Sequence, residues 1–384
     1  TDLDGADICL SLSAEPLLTA EGVNGLTLRG LSFVGTRGDA LHLSGDGITV
    51  DSCRIRNVGG NAVILNGNRC TVKDCEFCHL GRGGVLVTGG DRATLTPSGN
   101  LVTNNHIHHT AEIIRTCQPG VGFSGCGHVC SHNLFHDSPH LVVMFSGNDH
   151  VFEYNEIYRA CLTADDAASF YAGRDYTTCG NVIRYNFFHD LKSSAEVSSD
   201  MFGTYCDDNL GKTTIFGNVY LRSQSAHFFH GGHDMEFRNN LVVDAQPNSR
   251  HSFCFSQYGY CETLREGGTH IERMKDVPWQ SEVWQKRFPH LAEYLTWDPE
   301  TEQCMPHYCR LTENIINRHK PAYVNFAWDD PRFRNRYGNN PELDEYDGVS
   351  VASDGTLTID NDRLCAICPG FEPIPFEKMG MRSL

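Results

Sequence analysis

The sequence lacks any apolar run long enough to cross a bilayer, which takes about 20 mostly apolar residues, so it predicts no membrane span. Positive charge is also scarce. The 384 residues include 31 Lys and Arg against 48 Asp and Glu, which gives a formal net charge of −17. This balance disfavours nucleic acid as a partner, because an anionic protein repels the phosphate backbone.

The first ten residues, TDLDGADICL, lack both an initial Met and the basic-then-apolar pattern of a signal peptide. We therefore expect the chain to begin partway into a longer protein or after a processing site. The 17 Cys are odd in number and lack the tight spacing of a zinc site. A secreted protein would risk mispairing them, so the sequence favours a cytoplasmic location, with secretion the alternative if the N-terminus is truncated.

A short segment, such as CRI at 53 or NEI at 155, recurs along the chain at intervals that are often 22 residues. This interval fits one coil of a parallel β-solenoid, and intervals near 30 fit a coil that carries a loop. The copies begin at residues 31, 53, 75, 105, 133, 155, 186, 218, 240 and 314.

A second set of segments alternates apolar and polar residues with period two, as strands with one buried face do. The sequence therefore predicts an all-β fold, a right-handed parallel β-helix, whose handedness follows the general rule for parallel crossovers. The predicted inward stack is Leu43, Leu65, Val87, Phe123, Phe145, Tyr171, Tyr205 and Phe229. Its inward neighbours are Leu41, Val63, Val85, Val121 and Val143.

Asn residues recur at one corner of the predicted coils, where Asn tolerates a left-handed backbone and its amide can bond to the next coil. Cys53 and Cys75 take this place in earlier coils, and we interpret them as small buried thiols rather than as a disulfide. The predicted ladder is Asn105, Asn133, Asn155, Asn186, Asn218, Asn240 and Asn314.

The chain is expected to form one domain with three parts: coils over 1–243, an insertion with a short helix over 244–313, and a last coil with an irregular C-terminal cap over 314–384. Helical spacing in the insertion links Val283, Trp284, Phe288, Leu291 and Leu295. We expect Trp279, Trp284 and Trp297 to pack against the coils, with stacking on sugar rings as the alternative.

Two acidic pairs, Asp165–Asp166 and Asp207–Asp208, fall on neighbouring coils. In the predicted register Asp207 stands in a column otherwise held by glycine, and a broken local rule of this kind often marks a functional site. Paired carboxylates suit glycosidic bond hydrolysis, and solvated turns or calcium ligands are the alternative explanation of such pairs. The candidate catalytic residues are Asp165, Asp166, Asp207 and Asp208. The candidate substrate-binding residues are Asn148, Tyr171, Arg174, Tyr205, His230 and His233.

No cofactor is predicted, and calcium is left open without a motif that indicates it. Five histidines without a recognised ligand spacing are interpreted as hydrogen-bonding turn residues, with substrate contact as the alternative. They are His106, His108, His109, His132 and His136.

The blocks ADDAASFYAGRD (164–175) and GTYCDDN (203–209) resemble glycoside hydrolase family 141, which includes α-L-fucosidase and xylanase activities. The resemblance implies Asp166 and Asp207 as the catalytic pair, with a polysaccharide or oligosaccharide as substrate. Ala168 stands where the family usually has Gly, and its added methyl group is expected to narrow the site near the first carboxylate.

The expected register places Asp166 seven residues before Gly173, so Asp166 and Asp207 come together only if the chain bends between residues 163 and 169.

A glycoside hydrolase is the leading hypothesis, with Asp207 as general acid or base, Asp166 as its partner, and Arg174 and His230 orienting the substrate. A polysaccharide lyase and a non-catalytic carbohydrate-binding β-helix are the alternatives. The sequence leaves the oligomeric state open.

Overall fold

The computed structural model describes residues 10–191, 201–259, 261–294, 296, 298, 305–326 and 328–383, with only the backbone of 261, 262 and 294. In this part of the chain three parallel sheets of 11 strands wind into a β-helix, as the sequence predicts. Each coil contributes one short strand to each sheet, and like residues stack from coil to coil at about 4.8 Å.

The first sheet is the one whose outer face lines the candidate site. Its strands are β1 (Leu18–Ala20), β4 (Leu41–Ser44), β7 (Val63–Asn66), β10 (Val85–Gly89), β13 (Val121–Cys126), β16 (Val143–Asn148), β19 (Ala167–Gly173), β22 (Met201–Asp207), β25 (Ser225–His230), β28 (Phe253–Ser256) and β31 (Tyr323–Val324).

The second sheet follows the first around each coil. Its strands are β2 (Thr27–Arg29), β5 (Thr49–Asp51), β8 (Thr71–Lys73), β11 (Leu101–Thr103), β14 (Val129–Ser131), β17 (Val151–Glu153), β20 (Asn181–Arg184), β23 (Thr213–Phe216), β26 (Glu236–Arg238), β29 (Arg310–Thr312) and β32 (Arg336–Gly338).

The third sheet completes each coil after the Asn corner. Its strands are β3 (Ser32–Thr36), β6 (Arg54–Val58), β9 (Glu76–Leu80), β12 (His106–His108), β15 (Leu134–His136), β18 (Glu156–Tyr158), β21 (Phe187–Leu191), β24 (Val219–Ser223), β27 (Leu241–Ala245), β30 (Ile315–Asn317) and β33 (Glu342–Leu343).

The predicted inward stack is correct through Phe145 and again at Phe229, and it slips by one residue on the two coils between them. Val143 pairs with Phe170, so the inward positions on the next two coils are Ala172 and Cys206. Because side chains alternate between the two faces, this shift turns Tyr171 and Tyr205 outward. The prediction that the two tyrosines belong to the inward stack was therefore wrong. The coil between β16 and β19 is one residue longer than matching its glycines suggests.

The Asn ladder is confirmed and continues to Asn340. Asn186 is typical: its amide donates to the carbonyl oxygen of Phe152 at 3.0 Å, and its side-chain oxygen accepts from the backbone N–H of Asn155 at 3.0 Å. The left-handed residue at this corner precedes the Asn, as at Tyr185 (φ 54°), so the reason given for Asn was wrong in part. Cross-coil amide bonds, rather than backbone tolerance, explain the ladder.

Cys53 and Cys75 occupy the ladder position as free, buried thiols, as expected. The backbone N–H of Cys53 donates to the sulfur of Cys75 at 3.3 Å, and the N–H of Cys75 donates to the side-chain oxygen of Asn105 at 3.0 Å. Sulfur thus accepts the bond that an Asn oxygen accepts in later coils.

The segment outside the coils is shorter than 244–313, because β28 and β29 lie within that range and pair with neighbouring coils. Between them lie a 3-10 helix (Cys261–Leu264), α1 (Thr269–Met274), α2 (Glu282–Arg287) and α3 (Pro289–Tyr294). The predicted helix is thus two helices, separated where Phe288 adopts φ −132° before Pro289. A residue before proline avoids the helical region, which accounts for the break.

The insertion packs on the coils through Trp284, Phe288 and Leu291, which are buried. The indole N–H of Trp284 donates to the carbonyl oxygen of Arg92 at 3.0 Å, so packing rather than sugar stacking is confirmed for this residue. Val283 is 48% exposed and does not join the buried face. Leu295 and Trp297 lie outside the described residues.

The C-terminal segment, expected as an irregular cap, packs along the side of the solenoid. It contains β34 (Val349–Val351), β35 (Leu357–Ile359), α4 (Asn361–Ile367) and a 3-10 helix (Phe376–Lys378). Its apolar side chains bury the outer face of the third sheet, and the backbone N–H of Arg382 reaches the side chain of Asn104 at 2.7 Å. The segment therefore runs back toward the early coils.

Candidate active site

The candidate site lies on the outer face of the first sheet, where β19, β22 and β25 run side by side. Gly173 pairs with Asp207, as predicted, and the same register continues to His230. On the preceding coil this column extends to Ser146 rather than to a glycine. The idea that a carboxylate replaces a glycine was therefore wrong. Asp207 takes an outward, polar strand position, which the one-residue slip had concealed.

A cavity of about 490 Å³ opens over this face. The first sheet forms its floor, and the insertion supplies one wall, with Tyr258 and His270 among the wall residues. The Nε2 atom of His270 lies 2.7 Å from the backbone carbonyl oxygen of Asp208, which fixes the wall against the floor. The complete lining is Asp166, Arg174, Tyr205, Asp207, Asp208, His230, Tyr258, Thr263, Thr269 and His270.

Asp208 is a buried carboxylate with two cationic partners. The Nε atom of Arg174 donates to it at 2.7 Å, and Nδ1 of His230 lies 3.2 Å from its other oxygen. Burial alone would raise the pKa of Asp208, but hydrogen bonds from His230 and Arg174 outweigh it and lower the pKa to about 2. Asp208 is therefore ionised throughout the neutral range.

His230 lies between two carboxylates, since its Nδ1 is 3.3 Å from Asp207 and 3.2 Å from Asp208. Burial acts to lower the pKa of His230, whereas hydrogen bonds to Asp207 and Asp208 raise it, with a net value of about 9. The imidazole is therefore protonated at neutral pH and neutralises part of the acidic pair. The positive charge of His230 reduces the repulsion between Asp207 and Asp208, which explains why two adjacent carboxylates are tolerated on one coil.

Two tyrosines link the acids to the sheet. The hydroxyl of Tyr171 donates to Asp207 at 2.9 Å, and the hydroxyl of Tyr205 donates to Asp166 at 3.3 Å. Burial and then the negative charges of Asp207 and Asp166 raise the pKa of Tyr205. Asp166, Tyr205 and Asp207 all line the same cavity.

The sequence left open how Asp166 approaches Asp207, and the structure shows the bend. Asp166 has a left-handed backbone, with φ 48°, immediately before β19 begins at Ala167. The chain therefore leaves the extended path at this residue, and its side chain reaches the cavity that Asp207 lines.

A second cavity of about 180 Å³ adjoins the first at Asp166. Its walls are largely aromatic, with Phe202 and Phe228 on the sheet and Tyr323 on a later coil, and Arg250 adds a positive charge. The two cavities together form a groove along the first sheet, and Asp166 stands where they meet. Aromatic faces beside polar groups are typical of carbohydrate-binding grooves.

Three predicted site residues lie elsewhere. Asp165 is exposed and outside both cavities. Asn148 is fully buried, and its amide donates to the carbonyl oxygen of Thr177 at 2.7 Å. His233 is also fully buried, with Nδ1 2.9 Å from Asp234. The prediction that Asn148 and His233 contact substrate was therefore wrong, because these side chains hold turns together beneath the surface.

Sequence reasoning missed the contribution of the insertion. Tyr258 stacks edge-on against His230, with ring centroids 5.2 Å apart, and Arg273 donates to the carbonyl oxygen of Gly173 at 3.1 Å. The available signal was positional: the insertion begins one strand after the coil that carries His230. A wall inserted there is adjacent to the acidic face.

Among the described residues, four groups of side chains have ligand atoms close enough to hold a metal ion. One of them is Asp207, Asp208 and His230, in which the imidazole lies between the two carboxylates. The other three lie at the third sheet, and each contains His108 or His136.

Comparisons with known proteins address the fold. In the described part of the chain no helix is both long and apolar enough to cross a membrane. No curated protein shows significant similarity to the sequence. The resemblance to glycoside hydrolase family 141 stays a prediction. A family model described as a right handed beta helix region matches residues 39–111 and 64–242, more than half of the chain, and so the chain belongs to the right-handed β-helix family.

Proposed function

We propose that the protein is a glycoside hydrolase that cleaves a glycosidic bond of a complex polysaccharide. The observation that supports this most strongly is the convergence of Asp166 and Asp207 on one cavity, near a shared tyrosine hydroxyl. Glycosidic hydrolysis uses two carboxyl groups on either side of the scissile bond, one as acid and one as base or nucleophile.

The contacts suggest separate roles for the two acids. Asp207 is buried and faces two donors, the Tyr171 hydroxyl and protonated His230, which suits a base or nucleophile held in a fixed orientation. Asp166 is exposed at the meeting point of the two cavities, which suits proton donation to a leaving oxygen. Arg174 and Asp208 complete the charge network that positions His230.

The charges of the groove favour a neutral glycan. Three carboxylates, those of Asp166, Asp207 and Asp208, line the first cavity, where Arg174 and protonated His230 offset two of them, and Arg250 lines the second cavity. The groove therefore carries little net charge and offers no excess of positive charge to a uronate polymer, so a lyase acting on such polymers is disfavoured. The aromatic second cavity would bind the sugar next to the cleaved bond.

The test is turnover of a panel of neutral and acidic oligosaccharides, followed by chromatography of the products. We expect Asp166→Asn and Asp207→Asn each to lower the rate by on the order of 10³, because each removes a proton-transfer or nucleophilic group. Asp329→Asn is the matched control, since Asp329 is exposed and outside both cavities, and it should keep the wild-type rate. Wild-type rates in both cavity variants would refute the assignment, and unsaturated uronate products would favour a lyase.

A further inference from the structure

The outer face of the third sheet carries a cluster of histidines, on a different side of the coil from the acidic cavity over the first sheet. His106 and His108 lie on β12, and His136 lies opposite His108 on β15. The prediction of turn positions was therefore wrong for these three, whereas His109 and His132 do lie at left-handed corner residues. Alternation along β12 directs both of its histidines outward, and stacking of coils brings His136 beside them.

The three imidazole rings lie close together. The Nε2 atoms of His106 and His136 are 2.7 Å apart, and the rings of His108 and His136 stack at 4.7 Å with an angle of 9°. One nitrogen from each ring lies within 4.8 Å of the others. Zinc binds imidazole nitrogen at about 2.0–2.1 Å, which needs ligand nitrogens about 3.3 Å apart, so on binding the His106 and His136 nitrogens would separate slightly and one of the stacked rings, His108 or His136, would turn toward the ion.

The contacts of the other ring nitrogens leave Nε2 directed into the cluster. Nδ1 of His136 lies 2.6 Å from the carboxylate of Asp137, and this acceptor fixes the N–H at Nδ1 and the lone pair at Nε2. Nδ1 of His108 contacts His109 at 2.7 Å, and Nε2 of His108 is buried without a hydrogen-bond partner among the described residues. A carboxylate behind a histidine is the usual support of a metal ligand.

An oxygen ligand is close by. On the preceding coil Glu76 pairs with His106 in the sheet register, and its Oε1 lies 3.7 Å from Nε2 of His108. Its other oxygen forms an ion pair with Arg54 at 2.5 Å, so Oε1 is the one that faces the histidines. Three imidazoles and one carboxylate match the donor types and the number that Zn²⁺ takes in proteins.

We propose that His106, His108 and His136 form a Zn²⁺ site on the third sheet, with Glu76 as the fourth ligand. The site would link three successive coils on the third sheet, whereas the groove lies on the first sheet.

The alternative is a stack of rings that only packs. His136 lies against Tyr158 with centroids 4.8 Å apart, and Tyr158 lies against His189 at 5.0 Å, so an aromatic ladder does continue up this face. Packing alone would leave the cluster indifferent to metal, whereas a zinc site predicts stoichiometric binding that depends on His106, which the ladder through Tyr158 does not include.

The experiment is calorimetric titration of the metal-free full chain with ZnCl₂, repeated with CoCl₂ while the visible absorption of bound Co²⁺ is recorded. We expect one tightly bound Zn²⁺ per chain, with affinity lowered by at least about 10-fold in His106→Gln and in His136→Gln. The Co²⁺ spectrum should be that of a four-coordinate site and should disappear in both variants.

Two controls locate the binding. His42→Gln changes an outward histidine of the first sheet that pairs with Asp39, and it should bind Zn²⁺ as the wild type does. Circular dichroism confirms that each variant is folded, and Zn²⁺ should raise the melting temperature of the wild type but not of His106→Gln. The proposal would be overturned by absence of stoichiometric binding, by wild-type affinity in His106→Gln and His136→Gln, or by loss of binding in Asp208→Asn instead.

Discussion

Replacing Asp208 by Asn tests the charge network at the base of the groove, because the amide keeps the size of the side chain and removes its charge. Asp208 is only 10% exposed and contacts Arg174 and His230. Its loss leaves a buried imidazolium with a single carboxylate partner, Asp207. The variant should therefore be less stable than the wild type, and His230 should titrate at a lower pH.

The size of the effect follows from the pKa of Asp208. A carboxyl that titrates near 2 in the folded protein, rather than at its ordinary 3.8, stabilises the fold by about 2 kcal/mol at neutral pH. The side chain is nearly buried, so screening by solvent removes little of this. We expect Asp208→Asn to lower the free energy of unfolding by about 2 kcal/mol.

The pH dependence has a definite sign on each side. Because the folded pKa of Asp208 is depressed, its contribution is present above 3.8 and is lost as the pH falls toward 2. Because the folded pKa of His230 is raised from 6.5 to about 9, its contribution is complete below 6.5 and is lost as the pH rises through 9. The difference between wild type and variant should therefore be largest between about pH 4 and 6.5.

The assay is urea unfolding, followed by tryptophan fluorescence at a series of pH values from 3 to 10. Asp329→Asn serves as the control, and its free energy of unfolding should stay within about 0.5 kcal/mol of the wild type. A difference for Asp208→Asn that does not change with pH would contradict the charge network. So would a variant as stable as the wild type at pH 5.

Two further substitutions test the solenoid and the insertion. Asn186→Ala removes bonds to Phe152 and to ladder neighbours, and it should lower the free energy of unfolding by about 2–4 kcal/mol in urea titrations, whereas exposed Asn66→Ala should cost under about 0.5. Trp284→Ala empties a fully buried site in the insertion and should destabilise α2 and α3 by about 3–5 kcal/mol, measured by amide hydrogen exchange. Unchanged exchange in α2 and α3 would show that Trp284 does not anchor the insertion.

The architecture could be predicted because one physical demand repeats on every coil. A parallel β-helix stacks equivalent residues, so the Asn corner and the apolar columns leave a periodic signal that needs no tertiary information. The signal failed where a coil changed length. Matching Gly173 to Gly147 looked reasonable, but the pairing of Val143 with Phe170 shifts the register by one residue.

The site was less predictable because it depends on contacts that have no period. Asp166 and Asp207 were selected from the sequence, yet their approach depends on a left-handed residue at Asp166. The wall containing Tyr258 comes from an insertion whose docking no repeat encodes. The histidine cluster was missed for a related reason: His106 and His136 are 30 residues apart, one coil with a loop, and only the stacked coils bring them together.

The most direct test of the proposed hydrolase is a crystal structure of the Asp207→Asn variant soaked with a pool of mixed oligosaccharides. We expect a sugar chain that crosses both cavities on the first sheet, with its glycosidic oxygen within hydrogen-bonding distance of Asp166 and a ring carbon facing residue 207. Sugar bound only on another face of the solenoid, or bound in the groove with no glycosidic bond between these two positions, would contradict it.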